Sequence, residues 1–221
     1  MLHLSGADNV RLSGLVLAGG GSPLGDDGAL MTATEATELD VSECRFLNRG
    51  GSGMSLRKSS GRIANCTFGN IASAALFSED ASGLEISNNH IHDCGDNGIL
   101  VWRSETGEDG TLVSANRIER IAAKSGGSGQ NGNGVNVFRA GSVLVTQNHI
   151  ADCAFSAIRS NAGSNCQMVA NTRARSGEVA LYAKFGFEGA LIANNIVDTA
   201  ATGTSVTNFN EGSRLAVVQG N

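Results

Sequence analysis

The chain has 221 residues with 30 Gly, one Pro, few aromatics and a formal net charge of −5. That composition is poor helix material and good turn material, and the length suffices for a substantial core. A mildly acidic balance argues against nucleic acid or an anionic membrane as the main partner, and no apolar run approaches the ~20 residues of a membrane span.

Residues 1–9 (MLHLSGADN) read as the tail of an earlier structural repeat. They lack a basic n-region and an apolar h-region, so no signal peptide is read there. LSGLVL, closing at Leu17, opens a series of similar units: VSECRF, IANCTF, ISNNHI, VSANRI, VTQNHI, MVANTR and LIANNI, closing at Phe46, Phe68, Ile91, Ile118, Ile150, Arg173 and Ile196. The base period is 22 to 23 residues, with three longer copies. Seven residues after most closing positions comes a second strand-like unit: GMSLRK, AALFSE, GILVWR, GVNVFR, AIRSNA, ALYAKF and GTSVTN. Two or three short strands per copy, with no helical period between them, exclude a βαβ unit and fit one coil of a solenoid. The expected fold is all-β: a single-stranded right-handed parallel β-helix of about eight coils. The hand is the one known for this architecture, supported by the preference of parallel crossovers. Both ends cut the pattern, RLAVVQGN breaking off with Asn221 at a repeat position. Residues 1–221 are therefore expected to form one β-helix domain, part of a longer solenoid.

Stacking coils turns repeat positions into columns. Two residues before the closing position stand Cys44, Cys66, Asn89, Asn116, Asn148, Asn171 and Asn194. Five stacked Asn predict a structural amide ladder at a turn, where Asn also tolerates the left-handed backbone. Cys44 and Cys66 are neighbours there, read as inert thiols in preference to a disulfide. Two residues after the closing position, Asp93, Arg120, Asp152, Arg175 and Asp198 alternate in sign and predict an ion-pair stack. His90, Arg117 and His149 form a further column. The two His lie roughly 10 Å apart by strand spacing, too far to share a metal.

In the second strands, Met54, Leu76, Ile99, Val135, Ile158 and Leu181 share the inward parity. Alternation sends the other parity outward. Two outer columns result: Ser55, Phe77, Leu100, Asn136, Arg159, Tyr182, Ser205, and Arg57, Glu79, Trp102, Phe138, Asn161, Lys184, Thr207. An apolar stripe of Phe77, Leu100, Trp102, Phe138 and Tyr182 is thus predicted, rimmed by Arg57, Arg103, Arg139, Arg159 and Lys184. Such a stripe marks a ligand surface, where aromatics stack on sugar rings and Arg pairs with uronate carboxylates, or a surface covered by protein of the same chain or a partner.

The longer copies carry insertions: Gly19–Gly28, Arg103–Gly110 and Ala123–Gly134. The last two flank Trp102 and Phe138 and offer Glu105, Glu108, Asp109, Lys124, Gln130 and Asn131. Glu79, Asp80, Glu105 and Asp109 are the candidate catalytic carboxylates, weighed against plain solvated loops. No cofactor is expected. Ca²⁺ recruited by one of these carboxylates stays open, without a motif behind it.

The coils resemble the PbH1-type repeats of the pectin lyase-like superfamily. The stretches NGILVWRS, EDGTLVSANRIE, GGSGQNGNGVNVFRAG, DCAFSAIRSN, GEVALYAKFGFEGA and TNFNEGSRLAVVQGN resemble a family of twin-arginine-translocated, uncharacterised repeat proteins of alphaproteobacteria. That resemblance implies a longer parent, export to the periplasm or beyond, and no assigned activity. The NTD…DD…GHG…RIK series of polygalacturonases and the DPH motif of alginate epimerases are missing. The leading expectation is an exported protein that binds an acidic polysaccharide on the aromatic face, or cleaves it by lyase-type elimination in preference to hydrolysis. In it Trp102, Phe138 and Tyr182 stack sugars, and Arg103, Arg139 and Arg159 hold carboxylates. The alternative is a non-catalytic envelope module whose aromatic face binds protein.

Overall fold

A computed structural model describes residues 1–20, 28–207 and 215–221. Its regular elements are 24 strands, wound as a right-handed parallel β-solenoid of about eight coils with three faces. The first face is a nine-stranded sheet built from short strands such as Glu85–Ser87, Leu112–Ser114 and Leu144–Thr146. The second face carries the closing residues, on strands such as His90–Cys94 and Arg117–Ile121. The third carries the aromatic stripe, on strands including Ala74–Glu79, Asn97–Glu108 and Asn133–Gly141. The long strand Thr172–Lys184 runs round the corner and joins second and third faces into one sheet. The inward parity is the expected one: Met54, Leu76, Ile99, Val135, Ile158 and Leu181 are all buried. Phe46 and Phe68 stack in the core at 4.7 Å.

The turn between first and second faces is held by the amide ladder. The backbone N–H and Nδ2 of Asn89 both donate to Oδ1 of Asn116, at 2.9 and 3.0 Å. Asn116 does the same to Asn148, and Asn148 to Asn171. The second Nδ2 hydrogen of each donates to a carbonyl of the preceding coil, such as Ile63 from Asn89 and Ile86 from Asn116. All four side chains are buried.

Two details differ from the sequence reading. In the last coil the ladder residue is Asn195, not Asn194: Asn171 donates to Oδ1 of Asn195, and Asn195 to Oδ1 of Asn221. The closing position is accordingly Val197, paired with Arg173, and Ile196 turns outward with 64% of its surface exposed. A one-residue slip flips parity. Second, the left-handed backbone lies one residue before each ladder position. Asn65, Asn88, Ala115, Gln147, Ala170 and Asn194 have φ of +55° to +57°. The ladder Asn serve their side-chain bonds and not the turn's backbone.

The charged column resolves into two separate pairs. Arg120 binds Asp93 through Nε and Nη2, and Arg175 binds Asp152 likewise. Arg120 spends its remaining contact on Glu119 at 3.0 Å, so no continuous stack forms. Arg120 holds the Asp93 carboxyl down at about 2. Asp198 drops out of the column with the slip, and Thr199 takes its place. All five Cys are buried free thiols. Burial pushes Cys94 and Cys153 up to about 12 and Cys66 to about 11, which makes them unreactive.

Asn116→Ala is expected to lower stability by about 3 kcal/mol in thermal or denaturant unfolding, because it strands two buried N–H donors of Asn89. At the last coil, Asn195→Ala is expected to lower the midpoint more than Asn194→Ala; the reverse order would restore the unslipped register.

Candidate functional site

The third face keeps both outer columns in the predicted register. Phe77, Leu100, Asn136, Arg159, Tyr182 and Ser205 lie side by side on successive strands, and so do Glu79, Trp102, Phe138, Asn161, Lys184 and Thr207. Phe77 contacts Trp102 diagonally across the two columns, and Trp102 contacts its direct partner Phe138. Phe77 meets Trp102 edge-on at 5.4 Å between centroids, and Trp102 meets Phe138 at 5.4 Å with a 59° tilt. All three rings are half-buried although they point outward.

Two recesses meet at Trp102. The larger, of about 520 Å³, runs toward the N-terminal coils and is lined by Thr32, Ser55, Ser73 and Arg57 beside Phe77 and Trp102. Its lining is rich in hydroxyls. The smaller, of about 160 Å³, is bounded by Trp102, Gln130, Asn136, Phe138, Arg159 and Asn161. Its roof is the third insertion, which folds back over the strand ends. Asp96 anchors that loop by accepting from Ser125 N–H at 2.8 Å and Ser125 Oγ at 2.7 Å. Nδ2 of Asn97 and of Asn136 donate to the Gln130 carbonyl. Gly129, at φ +110°, passes so close to Arg159 that a Cβ there would meet Nη1 at 3.0 Å. Asn97 and Asn133 form a short second ladder beneath the loop, with Asn133 N–H donating to Asn97 Oδ1 at 3.2 Å. Asp96, Asn97 and Asn133 were not singled out in the sequence. The Asn before each opening glycine (Asn97-Gly98, Asn133-Gly134) was the signal available.

The cations of the rim have different fates. Arg57 is paired with Glu79 at 2.6 Å. Arg139 donates from Nη1 to the Ser104 carbonyl at 2.7 Å and lies 4.8 Å above the Phe138 ring. Lys184 sits over the Tyr182 and Phe185 rings at 5.0 and 4.7 Å, and burial pushes its pKa down. Arg103 does not join the stripe. It falls on the opposite parity, turns at the corner and donates to the Ala81 carbonyl at 3.3 Å. Arg159 is buried, with Nε and Nη1 lacking any hydrogen-bond partner, and the Trp102 Nε1 donor is equally orphaned.

The four candidate carboxylates do not line either recess. Glu79 is taken by Arg57. Asp80 accepts from Ser104 N–H and Oγ at 2.9 and 3.0 Å. Those bonds, with Arg103 nearby, outweigh desolvation and hold its pKa below the usual carboxylate range. Glu105 is exposed on the second insertion, which bulges between Trp102 and Gly107. Asp109 is buried at the base of that insertion. Its Oδ1 accepts from Thr111 N–H and Oγ1, its Oδ2 has no partner, and burial pushes its pKa up. Among the described residues no group of three or more His, Cys, Asp or Glu is placed to hold a metal ion. Asp26, Asp27 and most of the first insertion lie outside the described residues. Among the described residues no helix is long and apolar enough to cross a membrane.

The family described as "Right handed beta helix region" matches residues 2–118. No curated protein matches the sequence. Among solved structures, the enzymatically active domain of bacteriophage CBA120 tailspike protein 2 is similar over 97% of this chain and 43% of its own, at TM-score 0.55 and 10% identity. The catalytic unit of a thermostable alpha-1,3-glucanase from Streptomyces thermodiastaticus is similar over 87% of this chain and 48% of its own, at TM-score 0.50 and 16% identity. The chain thus spans about half the length of the structures it matches, and at these identities the likeness is one of fold.

Asp109 carries a pH prediction. Its pKa is raised in the folded state, so its ionised form is penalised there and stability falls as pH rises through the folded value. Asp109→Asn is expected to raise the melting temperature at neutral pH, with the gain shrinking in acid as the wild-type carboxyl takes up a proton. A gain independent of pH would refute the assignment.

Proposed function

The chain belongs to the right-handed β-helix family, and we propose that it uses the third face of that helix to bind an acidic polysaccharide. One observation carries this reading: Trp102 stands between two recesses, and its ring is contacted on either side by Phe77 and Phe138. A half-buried aromatic platform flanked by hydroxyls and amides fits a sugar chain, whose rings have apolar faces and polar edges. The Arg and Lys side chains along the stripe supply the preference for acid groups. The neighbours in fold support the class: one is an alpha-1,3-glucanase and the other a tailspike domain with enzymatic activity. A polysaccharide of this kind is met outside the cytoplasm, which agrees with the export implied by the sequence resemblance.

Elimination is a second reading, favoured over hydrolysis by one arrangement. Hydrolysis needs two carboxylates flanking a bond, and neither recess of the stripe is lined by one. Lys184, whose pKa burial and the nearby Arg159 push down, is a better base than an ordinary lysine and lies beside a guanidinium suited to a substrate carboxylate.

An acidic-glycan array with wild type and Trp102→Ala tests the reading. Wild type is expected to bind, and Trp102→Ala to bind about tenfold or more weakly, a loss of ~1.4 kcal/mol, at a temperature where its melting curve shows it folded. No glycan binding by either protein overturns the reading in favour of a face that docks protein. Ultraviolet absorbance of an unsaturated product, abolished in Lys184→Ala, separates elimination from binding alone.

A further inference from the structure

The cations of the stripe are not equivalent, and their pairing bears on how densely the ligand is charged. This inference rests on the glycan reading above. Arg57, which lines the larger recess, is already neutralised by Glu79, so a carboxylate brought there would compete with Glu79 for it. Arg139 is turned to the Ser104 carbonyl and the Phe138 ring, and Arg103 is at the corner. Arg159 differs from all of these. Only 6% of its surface is exposed, it makes no hydrogen bond or ion pair among the described residues, and Nε and Nη1 are buried without acceptors. Glu178, the carboxylate that acts on it through space, forms no ion pair with it and lies near Ser156 Oγ at 3.5 Å.

A buried, unpaired guanidinium is costly, because its hydration has been lost and nothing has replaced it. The recess beside it is lined by six residues, none of them acidic. Its volume of about 160 Å³ holds a small group and not an oligosaccharide. An entering carboxylate brings opposite charge to a guanidinium whose desolvation has already occurred, and this makes the contact stronger than one to a solvated arginine. The Asn136 and Gln130 side chains border the same recess, whereas the space left by Gly129 lies between Arg159 Nη1 and Glu178 Oε2, at 3.0 and 3.7 Å from where a Cβ would stand.

From Arg159 to Phe77 the outer column crosses three strand spacings, about 14 Å. At the Phe77 end the lining is hydroxyls and a cancelled ion pair. We propose that the bound polysaccharide is sparsely acidic: one carboxylate seats beside Arg159, and uncharged sugar rings occupy the recess between Phe77 and Trp102. A polymer with an acid on every residue places carboxylates in the larger recess, where the lining cation, Arg57, is already paired.

The test compares four polymers by titration: a neutral dextran, a gellan-type polymer with one uronate per tetrasaccharide, the same polymer with its carboxyls reduced, and polygalacturonate with a uronate on every residue. Wild type is expected to bind the gellan-type polymer at least tenfold tighter than its carboxyl-reduced form and tighter than polygalacturonate. Arg159→Gln is expected to bind the native and reduced polymers alike, and Arg159→Lys to recover part of the preference. Melting temperatures of both variants check the fold, and the native-versus-reduced comparison on wild type needs no variant. Equal or tighter binding of polygalacturonate overturns the proposal, as does an unchanged preference in a folded Arg159→Gln. If the polymers bind, Trp102→Ala weakens them and the carboxyls make no difference, the glycan reading stands and the charge placement falls. If no polymer binds wild type, both fall.

Discussion

Every outer surface of this protein depends on one constraint: each coil must lie in register on the coil before it. The buried amide ladder enforces this at one turn. Each Asn Oδ1 accepts both the backbone N–H and the Nδ2 of its neighbour, and the remaining Nδ2 hydrogen returns to a carbonyl one coil back. A coil that slipped by one residue would strand several buried donors at about 1–3 kcal/mol each and would turn its apolar parity to solvent. The exposed Arg120–Asp93 and Arg175–Asp152 pairs are screened by solvent and cannot set the register.

Register is what converts a repeat into a surface. Trp102 and Phe138 are separated in sequence by the second and third insertions, yet they touch each other, as Trp102 touches Phe77, because their strands pair residue for residue. The insertions cost the stacking little, since they leave the ladder between coils. One bulges from the end of its strand, and the other folds back to roof the small recess through Asp96, Asn97 and Asn136. A rigid stripe framed by two loops is therefore a direct result of where extra residues were tolerated.

The solenoid, its parity and both outer columns were legible from the chain because they follow from a period of two within a period of about 23. The last coil was misread because Ala193-Asn194-Asn195-Ile196 offers two Asn in succession, and Ile196 is the better hydrophobe for the closing position than Val197. What decided it was a one-residue-longer return from Arg173, itself a fully buried closing residue that donates to Ser176 Oγ and the Asp198 carbonyl. The fates of the arginines were less legible. Arg57 and Glu79 stand next to each other in one predicted column, so their pairing was readable. Arg103 was assigned to the rim by sequence adjacency to Trp102, and parity with the corner took it away.

Placement of charge also separates what this face holds from what it converts. Glu79, Asp80 and Asp109 each have a local partner that explains their presence: Arg57, Ser104 and Thr111. A carboxylate satisfied within the protein stabilises a turn or a strand end and has little left to offer a substrate. Among the described residues that line the small recess, the buried groups without a local partner are N–H donors, those of Arg159 and Trp102. A recess that leaves buried donors open and has no acid in its lining is deficient in acceptors. The chemistry that completes such a surface is an oxygen-rich ligand, which is why recognition of a glycan, and not acid–base attack on it by these carboxylates, is the role the arrangement favours.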